Sequence, residues 1–267
     1  MPAAARSLLL TRHPPDRNNP QMKSLFLTVG IAALTLAASI GPVHASVVIA
    51  GTRVVFPATQ GEVTVRLTNE GQLPALIEAW IDAGNPESTP DTAKVPFLIT
   101  PPLARMNPGK GQSLRIVYTG QPLPTDRESL FWLNVLEIPP KPTDTTGEAQ
   151  NTLQFAVRSR LKLFFRPAKL AGDPLTAGGQ LQWKLVADGG GYALEAHNPT
   201  PYYITMSKLT LHAGSANYEA GSGMVAPQAS LRLPVQNLHA AVVGGTLDYT
   251  VINDFGAGST FKGTITP

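Results

Sequence analysis

The chain has 267 residues, of which 43% are hydrophobic, no cysteine and a formal net charge of +3. Its first 45 residues contain four basic residues and one acidic residue, so the remaining chain has 17 of each and is formally neutral. A neutral chain lacks the net basic surface that nucleic-acid binding needs, and a chain without cysteine cannot be a disulfide-stapled scaffold.

Residues 22–45 have the pattern of a secretory signal peptide. Met22-Lys23-Ser24 supplies a short basic start, Leu25 to Ile40 is almost wholly apolar, and Val43-His44-Ala45 fits the small-residue cleavage rule. A spanning helix is the alternative, but the apolar run is short and is interrupted by Pro42. We therefore expect an exported protein cleaved after Ala45, with residues 1–21 as an upstream extension.

The first half of the mature chain predicts seven β-strands joined by turns, about the number in one immunoglobulin-like sandwich. The predicted strands are Ser46–Phe56, Gly61–Thr68, Leu73–Asp82, Phe97–Thr100, Ser113–Tyr118, Ser129–Glu137 and Leu153–Phe165. Arg166-Pro167 ends the seventh strand, because proline cannot continue a central ladder. We place an N-terminal domain at residues 46–166.

Residues 167–267 predict a second β-sandwich domain. Its candidate strands are Gln180–Ala187, Tyr192–His197, Tyr203–His212, Ser230–Pro234, Thr246–Ile252 and Ser259–Thr266. Since no linker separates the halves, we expect an all-β protein whose two domains meet at an angle and form a cleft.

The seventh predicted strand carries an unusual pattern. Leu153, Phe155 and Val157 alternate with other residues at the period of a β-strand, and cations follow at Arg158, Arg160 and Lys162. Such a strand could pair with a guest strand, pack it with alternate side chains and hold an anion. The alternative is a core strand with a solvated basic end.

Signatures of catalysis and of metal binding are absent from the sequence. There is no nucleophile elbow, Walker loop or dinucleotide-binding glycine motif, and the histidines share no metal-ligand spacing. We therefore expect a protein that is not an enzyme and that uses no ATP, cofactor or metal.

The segment Leu123–Pro140, LPTDRESLFWLNVLEIPP, closely resembles the periplasmic pilus-assembly chaperones of the chaperone–usher pathway. Further resemblances occur in the family's order at Thr52–Phe56, Leu73–Leu76, Thr100–Pro102, Asn107–Gly109, Lys162–Pro167, Asn198–Tyr203 and Ile252–Gly256.

This resemblance implies two immunoglobulin-like domains in an L-shape with a subunit-binding cleft between them. It also implies a periplasmic chaperone that lends a strand to incomplete pilus subunits and delivers them to an outer-membrane usher. Leu153, Phe155 and Val157 correspond to the donor strand and would enter the subunit's groove, while the even-numbered neighbours face the chaperone.

In the same family, Arg53 and Lys162 fall where the subunit's terminal carboxylate is anchored. A carboxylate held by both cations gains charge-assisted hydrogen bonds, and anchoring one chain end fixes the register of a strand. The alternative is two ordinary surface cations. Strict alternation puts Lys162 on the face opposite to Leu153, Phe155 and Val157, so we expect twist or a bulge to turn it into the cleft.

Glu128, Arg166 and Asp254 match a family trio of charges at the domain junction, where the resemblance implies that they orient the domains. Their alternative interpretation is three unrelated surface charges. The loop Lys141–Thr152 is longer than in compact members, yet the cysteine pair usual in long-loop members is missing, so the subclass stays open.

Two other functions stay open from the residues. One is an exported fibre subunit, although that would need its donor strand at the mature N-terminus. The other is an exported β-sandwich that binds a ligand such as a carbohydrate or a metal.

Overall fold

The computed structural model describes residues 46–141, 153–242 and 244–266. The expected leader, the upstream extension and most of the loop Lys141–Thr152 therefore lie outside the described residues. Among the residues that are described, no helix is long and apolar enough to cross a membrane.

The first sandwich consists of a four-stranded sheet in the order β1-β3-β7-β5 and a five-stranded sheet in the order β2-β9-β8-β4-β6. Its strands are β1 Val47–Ile49, β2 Arg53–Pro57, β3 Glu62–Asn69, β4 Ala75–Asp82, β5 Phe97–Thr100, β6 Leu103–Met106, β7 Gly111–Tyr118, β8 Ser129–Ile138 and β9 Val157–Arg166. All pairs are antiparallel except β2 with β9, which run parallel. Alternate side chains such as Phe56, Ile77, Leu133 and Leu163 fill the core between the sheets.

The second sandwich is built on the strand order β13-β12-β16-β17-β10-β11-β15, with β14 pairing β12. Its strands are β10 Gln182–Asp188, β11 Gly191–His197, β12 Ile204–Ala213, β13 Ala216–Glu219, β14 Gly223–Val225, β15 Ser230–Pro234, β16 Thr246–Ile252 and β17 Gly258–Thr266, preceded by a short 3-10 helix at Ala177–Gln180. Trp183 and Tyr249 are fully buried and pack edge to face in its core.

The nearly all-β architecture expected from the strand spacing is confirmed. The single strand expected at Ser46–Phe56 is wrong, because the chain there forms two strands in different sheets. Gly51 lies between them with a φ of 101°, a conformation that glycine adopts without steric cost. This switch carries the chain from β1 to β2 and so brings Arg53 beside β9.

Two further differences from the sequence-based expectation concern the start of one strand and the presence of three short ones. The strand expected from Leu153 begins only at Val157, and Leu153 and Phe155 precede it in irregular backbone. Three short strands were also not expected, namely β6, β13 and β14.

Candidate functional site

Arg53 and Lys162 lie side by side on the outer face of the five-stranded sheet. They are partners in the parallel register of β2 and β9. The residues that flank them, Val54 on β2 and Leu161 and Leu163 on β9, point into the core. Since side chains alternate along a strand, both cations point away from that core.

This outer face meets the second sandwich. The Nη1 of Arg53 donates to the Ile252 carbonyl at 2.8 Å, and the Nζ of Lys162 donates to the Thr205 hydroxyl at 3.1 Å. The pairing of β8 with β9 runs from Phe165 to Val157 without a register shift. Of the twist or bulge expected at Lys162, no bulge is present, and none is needed because the face opposite to the apolar residues is itself the face that meets the second domain.

The two cations have no anionic partner among the described residues, since neither forms an ion pair within 4.0 Å. The buried Nε of Arg53 also has no hydrogen-bond partner there. Burial, and secondly the charge of Arg53, lowers the pKa of Lys162. Burial also lowers the pKa of Arg53, although Asp254 and Glu128 act in the opposite sense. A carboxylate bound here would offset the unfavourable burial of both cations and could accept a hydrogen bond from the unpartnered Nε of Arg53.

One edge of β9 is open beside this pair. The strand β2 covers β9 only from Lys162 to Arg166, whereas β8 pairs with β9 back to Val157. In the part of the chain that the structure describes, no strand pairs with the other edge of residues 157–161. The unpaired backbone therefore ends at the two cations and can accept another strand.

Leu153, Phe155 and Val157 are exposed by 79%, 69% and 54% of their areas. Val157 has the same parity along β9 as the buried Leu161 and Leu163, so it continues the core-facing row beyond the sandwich. An exposed row of large apolar side chains is typical of a surface that a partner covers.

Glu128, Arg166 and Asp254 come together across the junction of the sandwiches. Arg166 donates through Nε to Glu128 at 2.7 Å and through Nη1 and Nη2 to Asp254 at 2.6 and 2.9 Å. The other oxygen of Glu128 accepts from the Tyr203 backbone N–H at 2.8 Å. Glu128 is buried and directly precedes β8 of the first sandwich, whereas Asp254 lies two residues after the end of β16 in the second sandwich. The guanidinium of Arg166 therefore binds one carboxylate from each sandwich.

The trio is electrostatically coupled. Burial raises the pKa of Glu128, and the charge of Arg166 only partly offsets it. Burial would lower the pKa of Arg166, but its hydrogen bonds to Asp254 and the charges of both carboxylates outweigh that effect and raise it.

A second cation cluster on the same face was not expected from the sequence. Asp82 is 2% exposed and accepts from Arg160 at 2.6 Å and from Asn134 at 2.8 Å, while Arg158 donates to Asn134. Burial would raise the pKa of Asp82, but the Arg160 and Asn134 hydrogen bonds outweigh it and lower the pKa.

Two tryptophans complete this cluster. The guanidinium of Arg158 stacks 4.7 Å from the Trp80 ring centre, and that of Arg160 lies 4.2 Å from the Trp132 ring centre. One signal in the sequence could have indicated this cluster. Trp80 and Asp82 are two residues apart, as are Arg158 and Arg160, so each pair lies on one face of its strand. Within the described residues, no group of three or more acidic, histidine or cysteine side chains could hold a metal ion.

Comparisons with known proteins point to one family. Residues 46–171 match the model of the N-terminal domain of PapD-type pili and flagellar-assembly chaperones. Residues 176–262 match the model of the C-terminal domain of PapD-type pili assembly chaperones.

Individual relatives agree with that match. The chaperone protein FimB/FhaD of Bordetella pertussis is 48% identical over 244 residues, which cover 89% of this chain and 96% of the relative. The crystal structure of the YadV chaperone aligns with a TM-score of 0.71 at 37% identity, covering 83% of this chain and all of that one. The SafB chaperone of Salmonella enterica, solved in complex with the SafA pilin, represents a bound state; that solved structure aligns with a TM-score of 0.67 at 30% identity, covering 84% of this chain and 99% of the matched one.

Proposed function

The chain belongs to the family of pilus-assembly chaperones, and we propose that it captures fimbrial subunits by lending them the start of β9. The observation that carries this proposal is the open edge of residues 157–161, which ends at two cations that have no carboxylate partner among the described residues. A chaperone with these parts acts by binding alone, without making or breaking a bond.

The direction of the guest strand follows from the anchor. A strand laid beside residues 157–161 occupies the space just before β2, which runs parallel to β9. If the guest also runs parallel, its last residue reaches Arg53 and Lys162 and presents its terminal carboxylate there. Fixing that end fixes the register, because a slip of one residue would turn every guest side chain to the other face.

The donor residues supply the apolar contacts. Leu153, Phe155 and Val157 are spaced two apart, so an extended backbone would present all three on one side. Burying one such side chain contributes about 1.5–3 kcal/mol, which makes this row a substantial part of the binding energy.

The charge trio supports the same function indirectly. By joining Arg166 to Glu128 and Asp254, it keeps the second sandwich in place, where Ile252 and Thr205 contact the two anchor cations. We assign the trio an architectural role and assign subunit binding to residues 46–166, with residues 167–267 as the second domain.

Location and delivery complete the proposal. The leader at residues 22–45 would direct export, and cleavage after Ala45 would release the chaperone into the periplasm. There it would hand its subunits to an outer-membrane usher.

Replacing one donor residue with a charge tests strand donation. Phe155→Asp would place an unpaired carboxylate in the guest's groove, at a cost of several kcal/mol, so co-purification of a fimbrial subunit should be lost. The melting temperature of the free chaperone should stay unchanged, because Phe155 is exposed.

Leu98→Asp on β5 is the matched control, since Leu98 is 61% exposed but lies in the four-stranded sheet. It should leave both subunit capture and melting unchanged. Normal capture by Phe155→Asp, or unfolding of its free form, would contradict strand donation by this face.

A further inference from the structure

Ser46 is held firmly at the point where the described chain begins. Its carbonyl accepts from the backbone N–H groups of Glu70 at 2.7 Å and Gly71 at 3.2 Å. A Cβ at Gly71 would lie 2.6 Å from the Cβ of Ser46, so the turn approaches this residue as closely as only glycine allows. The position of Ser46 is therefore set by the turn after β3.

Ser46 also contacts a carboxylate of the opposite sheet. Its hydroxyl donates to Oε1 of Glu137, and the Val47 backbone N–H donates to Oε2 at 3.1 Å. Val47 begins β1 in the four-stranded sheet, whereas Glu137 belongs to β8 in the five-stranded sheet. These bonds thus bridge the two sheets at one end of the sandwich.

Glu137 lies beside the proposed donor row. It follows Leu133 and Val135 on the core-facing side of β8, and it is the cross-strand partner of Val157. Among the described residues, no lysine, arginine or histidine forms an ion pair with it. A carboxylate that a bound subunit would help to bury is costly unless a cation neutralises it.

We propose that removal of the leader creates this cation, an α-ammonium group on Ser46 that pairs with Glu137. Hydrolysis of the Ala45–Ser46 peptide bond consumes one water, leaves a carboxylate on Ala45 and frees the amine of Ser46. An α-amine has an ordinary pKa of about 7.7–8.0, so it is mostly protonated at neutral pH. Its nitrogen belongs to the residue whose hydroxyl already contacts Glu137.

The ion pair stands independently of subunit capture, whereas its consequence for capture rests on the proposed function. The consequence is that the carboxylate of Glu137, beside the subunit-binding face, is neutralised by a cation only after the leader has been removed. A chaperone that still carries its leader presents an uncompensated carboxylate next to Val157.

The titration of the α-amine in the free protein tests the ion pair. The full chain is exported with its own leader, its intact mass establishes Ser46 as the first residue, and NMR follows the α-amine after 13C-dimethylation. The pKa should lie above its ordinary range in the wild type and return to that range in Glu137→Gln. An ordinary pKa in the wild type, the same raised pKa in Glu137→Gln, or a mass showing a different N-terminus would overturn the proposal.

Melting temperatures provide a second readout. A raised folded pKa contributes stability that is fully present below the unfolded pKa and is lost as pH rises through the folded pKa. The wild type should therefore melt above Glu137→Gln at pH 7, and the difference should shrink toward pH 10 to the part that comes from the hydrogen bonds of the carboxylate to Ser46 and Val47. Glu78→Gln, on the neighbouring strand β4, is the matched control and should show no such pH-dependent difference. A difference of the same size at pH 7 and at pH 10 would overturn the ion pair.

Subunit affinity tests the consequence. A variant with one Gly inserted after Ala45 moves the ammonium away from Glu137, and it should bind a fimbrial subunit a few-fold more weakly, as should Glu137→Gln. Unchanged affinity in both variants would overturn the link to capture. Because the α-amine titration uses no subunit, its outcome is separate from that of the Phe155 variants.

Discussion

Two cation clusters on one face of the five-stranded sheet differ in what compensates them. Arg158 and Arg160 surround the buried carboxylate of Asp82 and stack on tryptophans. Lys162, one step further along the same row, and Arg53 beside it on β2 have hydrogen-bond partners that carry no full charge, a hydroxyl and a carbonyl oxygen. Among the described residues, the first cluster is complete in that it holds a carboxylate of its own, and the second is incomplete because it holds none.

The largest effect is expected where the complete cluster is broken. Asp82→Ala leaves two partly buried guanidinium groups without their carboxylate, so the free energy of unfolding in urea should fall by about 3 kcal/mol. Asp126→Ala is the control, because Asp126 pairs with Arg127 at an exposed site, and its urea midpoint should not move. A midpoint for Asp82→Ala equal to the wild type would remove the contrast between the clusters.

A smaller effect is expected at the junction, where Arg166 is shared by two carboxylates. Asp254→Asn removes one charge without creating a cavity, so it should cost about 1 kcal/mol and loosen the arrangement of the two domains. Small-angle scattering of the free protein should show a broader distance distribution than that of the exposed-site control Asp188→Asn. Identical curves would demote the trio to simple surface charges.

The smallest effect, of opposite sign, is expected at the incomplete cluster. Lys162→Met removes a partly buried charge beside Arg53, so the free chaperone should gain roughly 0.5 kcal/mol while losing subunit capture. Folding lowers the pKa of Lys162 below its ordinary value of 10.5. The charged side chain therefore destabilises the fold fully at pH values below the folded pKa, and this destabilisation is relieved as the pH rises from the folded pKa toward 10.5.

Urea unfolding as a function of pH checks this sign. The wild type should approach Lys162→Met in stability as the solution becomes alkaline. Lys110→Met, at an exposed turn, should show no such convergence. A Lys162→Met variant that is less stable than the wild type at neutral pH would mean that Lys162 stabilises the folded protein.

The sequence predicted most of the strands, and the three that it missed are all short. The strands β6, β13 and β14 have three or four residues, which is too short for a two-residue period to stand out. Gly51 divides the first expected strand because a single left-handed residue sends the chain to the other sheet.

Charge partners were harder to predict than charges. The alternation of Arg158, Arg160 and Lys162 was visible in the sequence, but Asp82 lies more than seventy residues earlier in the chain. Only the sheet order β9-β8-β4 brings it to the first two cations and leaves the third without it. Family resemblance pointed to Arg53 and Lys162, and the geometry adds that their uncompensated state distinguishes them from their neighbours.

The affinity of a fimbrial subunit's C-terminal peptide, compared between its free-acid and amidated forms, tests the central claim most directly. If Arg53 and Lys162 hold the terminal carboxylate, titration calorimetry should show the acid binding about tenfold or more tightly, since a charge-assisted hydrogen bond contributes about 1.5–3 kcal/mol. The preference should disappear in Lys162→Met and in Arg53→Met. Equal binding of the acid and the amide to the wild-type chaperone would contradict the account.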